Sequence, residues 1–221
     1  NKLNYLFLII FIILAFFYLI NYFYLKKNNN QMEILQKDKV SKVELNDILR
    51  NKLPLILTGE IEDWFIFKED DTIDKEKLTH SILKENANKL IYNLALFKNF
   101  NVSNYPKRYN THIMKENKTR HFFCVLEGDV RILLFNPEQE KDIEFIEKDN
   151  KMISKNSMFK KNRKKLDKLK YLEIKLDKEK LIYIPYNWLY CFYIKEPSLI
   201  LDINSESLFT LPIKVINDKL H

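Results

Sequence analysis

Residues 5–25 read YLFLIIFIILAFFYLINYFYL, a run without a charge and with Asn21 as its one strongly polar member. About 20 apolar residues in a helix cross a bilayer core. A helix apolar on all faces differs from the one-sided stripe of a soluble surface helix. Tyr18, Tyr22 and Tyr24 gather toward one end, as an interfacial belt would. A cleaved signal peptide would carry a shorter apolar region, about 7–15 residues, with a small-residue cleavage site behind it. Here Lys26, Lys27 and Asn28 follow a longer run. The pattern predicts a single-pass anchor over residues 1–27. Lys2 precedes the span and Lys26 and Lys27 follow it, and that excess of positive charge favours a cytoplasmic side for the rest of the chain.

Beyond the anchor the pattern changes twice. Residues 28–31 are Asn-Asn-Asn-Gln, which predicts a polar linker over 28–39. Residues 41–52 space Val43, Leu45, Ile48 and Leu49 as a helical stripe, with Ser41 as N-cap and Glu44 three positions on. Residues 53–59 form a short apolar run ended by Gly59, a strand signal, and 74–86 read as a further helix. From His121 onward short strands are expected at 122–126, 130–135, 171–176, 181–184, 188–194 and 199–203. Glu127-Gly128-Asp129 turns the first two, and Asn136-Pro137 stops the second. Many short strands with turn residues between them predict an antiparallel sandwich or barrel.

Composition narrows the chemistry. The chain has 221 residues, 46% hydrophobic and 30% charged, which suits one domain plus an appendage. Its two glycines, Gly59 and Gly128, exclude a Gly-rich phosphate loop, and its two cysteines exclude a four-cysteine zinc site. Cys124 and Cys191 sit in apolar runs and read as core residues, with a disulfide between them left open. Glu60, Glu62 and Asp63 read as a solvated acidic turn. Residues 155–170 carry eight basic residues and one acid. They read as a solvated loop insertion, or as a contact for an anionic lipid or nucleic-acid surface. His80 and His221 have no special context.

Three segments resemble the cupin-like, JmjC-type domain of the iron(II) and 2-oxoglutarate dioxygenases, in the branch of the asparaginyl hydroxylase that acts on hypoxia-inducible factor. Residues 53–64, LPLILTGEIEDW, are similar to the family's opening strand. Residues 121–137, HFFCVLEGDVRILLFNP, resemble its Gly-turn hairpin. Residues 182–190, IYIPYNWLY, resemble the strand that carries its distal histidine. The resemblance covers about 40–208. It implies a mainly β fold, a double-stranded β-helix (cupin or jelly-roll) with flanking N-terminal helices, occupying 40–221 behind one transmembrane helix.

The family binds iron through His-x-Asp and a distal His, leaving open positions for cosubstrate and oxygen. The resemblance lays these positions on Lys115, Asn117 and Tyr190, and the cosubstrate lysine on Val130 with Arg131 beside it. It also implies a pocket drawn from His112, His121, Arg131, Trp188 and Asn204. Lys, Asn and Tyr make a poor iron(II) triad, so no cofactor is expected; the alternative is iron(II) and 2-oxoglutarate held at an atypical site. The three positions should converge, with Lys115 meeting solvent, an acid, or Tyr190 and Asn117. The expected function is a membrane-anchored, non-catalytic binding or scaffold module for a protein partner; the alternative is a protein hydroxylase or demethylase.

Overall fold

The computed structural model describes residues 2–61, 87–91, 95–148, 151–159, 166 and 168–214. The helix expected over 74–86, Glu62, Asp63, Trp64, His80, His221 and the centre of the basic insertion at 160–165 lie outside the described residues.

The apolar run forms one helix, α1 (Lys2–Lys26), long and apolar enough to cross a membrane. Strand β1 (Leu35–Asp38) follows, then α2 (Lys42–Leu49). Ser41 caps α2 as expected, its hydroxyl accepting from the Glu44 amide at 3.2 Å. Leu45 and Leu49 are the buried stripe of α2. The remaining elements are strands: β2 (Leu55–Thr58), β3 (Ala95–Tyr105), β4 (Tyr109–Asn110), β5 (Met114–Lys115), β6 (Arg120–Glu127) and β7 (Val130–Phe135). They continue with β8 (Phe145–Lys148), β9 (Lys151–Ser154), β10 (Leu172–Leu176), β11 (Leu181–Tyr183), β12 (Leu189–Ile194) and β13 (Ser198–Ser207).

They build two sheets. The first has the order β1-β2-β11-β6-β13-β3. The second has the order β10-β7-β12-β5-β9-β8, with β4 also on β12. The expectation of purely antiparallel pairing fails at one edge: β1 lies parallel to β2, because α2 carries the chain back between them.

Period-2 alternation sorts the side chains into three apolar layers. Phe123, Val125, Ile182 and Ile200 of the first sheet meet Val130, Ile132, Leu134, Tyr190 and Phe192 of the second in the space between them. Phe122, Cys124, Leu126, Leu181 and Leu201 face the other way, onto α2. Leu133, Phe135, Leu189 and Cys191 form the outer face of the second sheet. Met158, Leu166 and Leu169 from the insertion cover it, so the apolar residues of that segment are a lid on the core rather than part of a solvated loop. Cys124 and Cys191 therefore sit in different layers, both buried and both free, which closes the disulfide alternative.

Gly128 turns β6 into β7 with φ +90°, and an added Cβ there would stand 2.6 Å from the Pro197 carbonyl oxygen. Only glycine meets both conditions. Of the acidic turn, Glu60 is corrected. Glu60 is buried, accepts the Val40 amide at 2.7 Å, and is ion-paired with Lys89.

The polar segment after α1 is fastened rather than loose. Asn29 donates to the Asn51 carbonyl at 2.8 Å, and Asn30 donates to Glu138 at 2.6 Å. Asn187 donates to the Asn28 side-chain oxygen at 3.1 Å.

Candidate functional site

The inner end of the space between the sheets is polar. β6 turns His121 inward beside Phe123, with ring centroids 4.1 Å apart. On β13, Asn204 lies opposite His121 and Asp202 opposite Phe123, so Asp202 is a diagonal neighbour of the imidazole on the same face. His121 Nε2 stands 2.9 Å from Asp202 Oδ1, and Asn204 donates to the same Oδ1 at 2.8 Å. His121 Nδ1 stands 2.6 Å from Glu116 Oε2. Glu116 is almost wholly buried, and its other oxygen accepts the Lys118 amide at 2.7 Å.

Electrostatics decide the protonation of this group. Burial alone would lower the imidazole pKa, but the charges of Glu116 and then Asp202 override it and raise the value to about 10. Burial alone would raise Asp202, but the imidazolium beside it holds its carboxyl below the ordinary value. Tyr190 is buried among Phe123 and Phe192, with centroids 5.7 Å and 5.5 Å away. Burial first, then the charges of Glu116 and Asp202, push its phenol well above the ordinary range, so it keeps its proton.

The convergence expected of Lys115, Asn117 and Tyr190 does not occur, and the reason is register. β5 and β12 pair Met114 with Tyr190 and Lys115 with Leu189. Met114 and Tyr190 face the inner layer, whereas Leu189 belongs to the outer one. Lys115 thus lies on the opposite face from Tyr190 and pairs with Glu140 at 2.7 Å. Asn117 is exposed. The inward position is Glu116, between the two. A shift of one residue moves a side chain to the other face of a sheet. Glu116 and Asp202 were missed by sequence reasoning; the available signal was inward alternation counted from Met114 and from Ile200.

Of the other expected pocket residues, only Asn204 joins His121. His112 Nδ1 meets the Ser154 carbonyl oxygen at 2.7 Å. Trp188 is fully buried, and its indole N–H has no partner among the described residues. Arg131 pairs with Glu173 at 2.9 Å on the outer face of the second sheet. There both line a cavity of about 330 Å³ with Met158, Phe159, Tyr171 and Tyr193.

A facial iron(II) triad needs imidazole nitrogens with free lone pairs and open coordination positions. A carboxylate oxygen lies within 2.9 Å of each His121 nitrogen, so neither faces an open coordination position, and the partner at the distal position is the Tyr190 phenol instead of a second imidazole. No group of three or more His, Cys, Asp or Glu among the described residues is disposed to hold a metal ion. The residues gathered here do not fit an iron(II) centre. They fit an ion triad that ties β6, β13 and the segment after β5 together.

No protein-family model and no curated protein matches the chain. Solved structures that resemble it include a dTDP-sugar isomerase from Desulfovibrio desulfuricans, at 17% identity and TM-score 0.33 over 52% of this chain and 60% of that one. A hydroquinone 1,2-dioxygenase from Sphingomonas with 4-hydroxybenzoate bound matches at 12% identity and TM-score 0.35, over 52% and 62%. Drosophila melanogaster CENP-C bound to CAL1 matches at 10% identity and TM-score 0.31, over 48% and 63%. The chain spans about three-fifths of the length of each. With TM-scores this low, function rests on the side chains of this chain itself.

Proposed function

We propose that this protein is a membrane-anchored, cupin-like binding module that carries out no iron-dependent oxygenation. One observation carries the reading: His121, buried between the sheets, has a carboxylate oxygen within 2.9 Å of each ring nitrogen, Glu116 at one and Asp202 at the other. A metal-binding histidine offers the lone pair of one nitrogen to the metal, and a supporting carboxylate takes only the N–H of the other. Two carboxylates convert the same side chain into a structural cation.

The cupin-like part of the reading is supported by the two packed sheets and by the three sequence segments, which fall on β2, the β6–β7 hairpin and β11–β12. The anchor is α1, and Lys26 and Lys27 favour a cytoplasmic domain. The ligand in this reading is a protein partner, with the basic 155–170 segment available for an anionic surface.

The test is made on the full chain purified in detergent and supplied with iron(II) and 2-oxoglutarate. Substoichiometric iron and no succinate above the buffer rate are expected. Stoichiometric iron with succinate formation would overturn the reading in favour of a hydroxylase or demethylase.

A further inference from the structure

A second apolar surface stands beside α1. β13 ends at Ser207, and a helix begins at 210. Ser207 and Thr210 close the two residues between them. The Ser207 amide donates to the Thr210 hydroxyl at 3.1 Å, and the Thr210 amide donates to the Ser207 hydroxyl at 3.1 Å. The base of this tip is polar and buried. Glu206 accepts the Thr119 hydroxyl at 2.6 Å and pairs with Lys214 at 2.5 Å. The tip itself is Leu208-Phe209, and Leu208 is 51% exposed on a rigid base. Phe97, 57% exposed, lies opposite Glu206 in the β3–β13 ladder, and Glu206 is two residues before Leu208 along β13 and its turn.

The position of this tip along α1 gives it meaning. The Phe209 ring stacks on Phe17, with centroids 5.6 Å apart and planes 25° apart. Phe17 lies nine residues before Lys26, the last residue of α1. At about 1.5 Å per residue that is on the order of 14 Å along the helix. The C-terminal end of α1 cannot swing away from the domain. The buried Lys52 ammonium donates to the carbonyls of Tyr24, Leu25 and Lys27, and the Tyr24 hydroxyl donates to the Leu49 carbonyl at 3.4 Å. If Lys26 and Lys27 sit at the headgroups, Phe209 stands well inside the hydrocarbon.

We propose that Leu208 and Phe209, with Phe97 beside them, form a second membrane contact. They insert among the acyl chains of the leaflet that holds the C-terminal half of α1. The domain then rides partly immersed against the bilayer instead of hanging from a tether. This rests on α1 spanning the membrane. The occupant is lipid because the surface is continuous, through the Phe17–Phe209 stack, with a helix whose large side chains are exposed along its length.

The experiment uses the full chain in phosphatidylcholine liposomes with one NBD label per variant. Cys124 and Cys191 are buried, and burial raises both thiols, Cys191 to about 12, so neither competes for the label. Labels go at Leu208→Cys, at Phe97→Cys as an independent probe of the same surface, at Phe11→Cys in α1, and at Ile146→Cys on β8 as a water reference. The 208 and 97 probes should emit to the blue. Acyl-brominated lipid should quench them several-fold more than aqueous iodide does, with the order reversed at 146. Iodide quenching at 208 and 97 with lipid quenching at 11 would overturn the second contact and leave the anchor standing. Iodide quenching at 11 as well would remove both. Shielding at 208 that disappears on dilution into excess lipid would assign the surface to a second copy of the chain, and the proposal would fall.

Discussion

His121 and Lys52 are both buried cations, 6% and 3% exposed, and the protein neutralises them by opposite means. His121 lies between the sheets, with a carboxylate at each ring nitrogen. Lys52 lies where α1 meets the domain. It finds three main-chain carbonyls and the face of the Tyr24 ring, 4.5 Å from its ammonium. Those carbonyls are the exposed acceptors at a helix C-terminus, where the dipole favours a positive charge. Dipoles do not compensate burial as formal charges do. Burial, and then the Lys27 charge, bring Lys52 down to about 8, whereas the two carboxylates take His121 up to about 10. Carboxylates lock the inner end of the fold in one charge state. Carbonyls join helix to domain while leaving the ammonium near its titration point.

The largest effect should come from breaking the first arrangement. Glu116→Ala leaves the imidazolium with Asp202 alone in a buried setting, and removing one partner of a buried pair costs about 3–5 kcal/mol. Denaturation of the full chain in micelles measures it; a loss below about 1 kcal/mol would mean that Glu116 does not carry the charge of His121.

Breaking the second should cost less. Lys52→Met strands the carbonyls at the end of α1, worth about 1–3 kcal/mol. It should also open residues 28–34 to protease. Lys52 has φ +52°, so Lys52→Gly removes the same hydrogen bonds while relaxing a left-handed backbone. The glycine variant should be the more stable of the two, and the reverse order would deny any strain at this position.

A pH series separates the two cations by sign. The folded pKa of His121 is raised from 6.5 to about 10, so its contribution is complete below about pH 6.5 and is lost across the interval up to 10. Lys52 is lowered from 10.5 to about 8, so its penalty applies below about 8 and is relieved between 8 and 10.5. Relative to Lys52→Met, the natural chain should gain stability between pH 8 and 10. Parallel curves over that interval would show that Lys52 titrates normally.

The smallest effect is expected at the strap. Asn28→Ala loses one exposed bond from Asn187 and should cost about 0.5 kcal/mol. A loss above about 1.5 kcal/mol would make the segment after α1 as important to the junction as Lys52.

Much of the framework could be read without coordinates. The expected strand at 130–135 is β7, those at 171–176, 181–184 and 188–194 are β10, β11 and β12 within a residue at each end, and the 41–52 stripe is α2. β3 was missed because it is the edge strand of its sheet, rich in Asn and with Phe97, Lys98 and Asn99 exposed. A strand paired on one side only needs no apolar alternation to hold it. β8 and β9 were missed for a similar reason: they are a marginal, largely exposed hairpin at the far edge of the other sheet.

The candidate site was legible only in part. His121 and Tyr190 could be singled out from their segments, whereas Glu116 was passed over for its neighbours Lys115 and Asn117. The choice among three consecutive residues depends on which face of β5 lies against β12, and the pairing of Met114 with Tyr190 decides it. What the sequence determined alone is what a local period expresses: a helix apolar on every side, an amphipathic turn of helix behind Ser41, and strands ended by Gly128 or Pro137. Tertiary structure decided which charges are buried together. Asp202 lies far along the chain from Glu116 and His121, as Lys52 does from Tyr24 and Phe209 from Phe17. Nothing in a residue's own neighbourhood records a partner that only chain closure supplies.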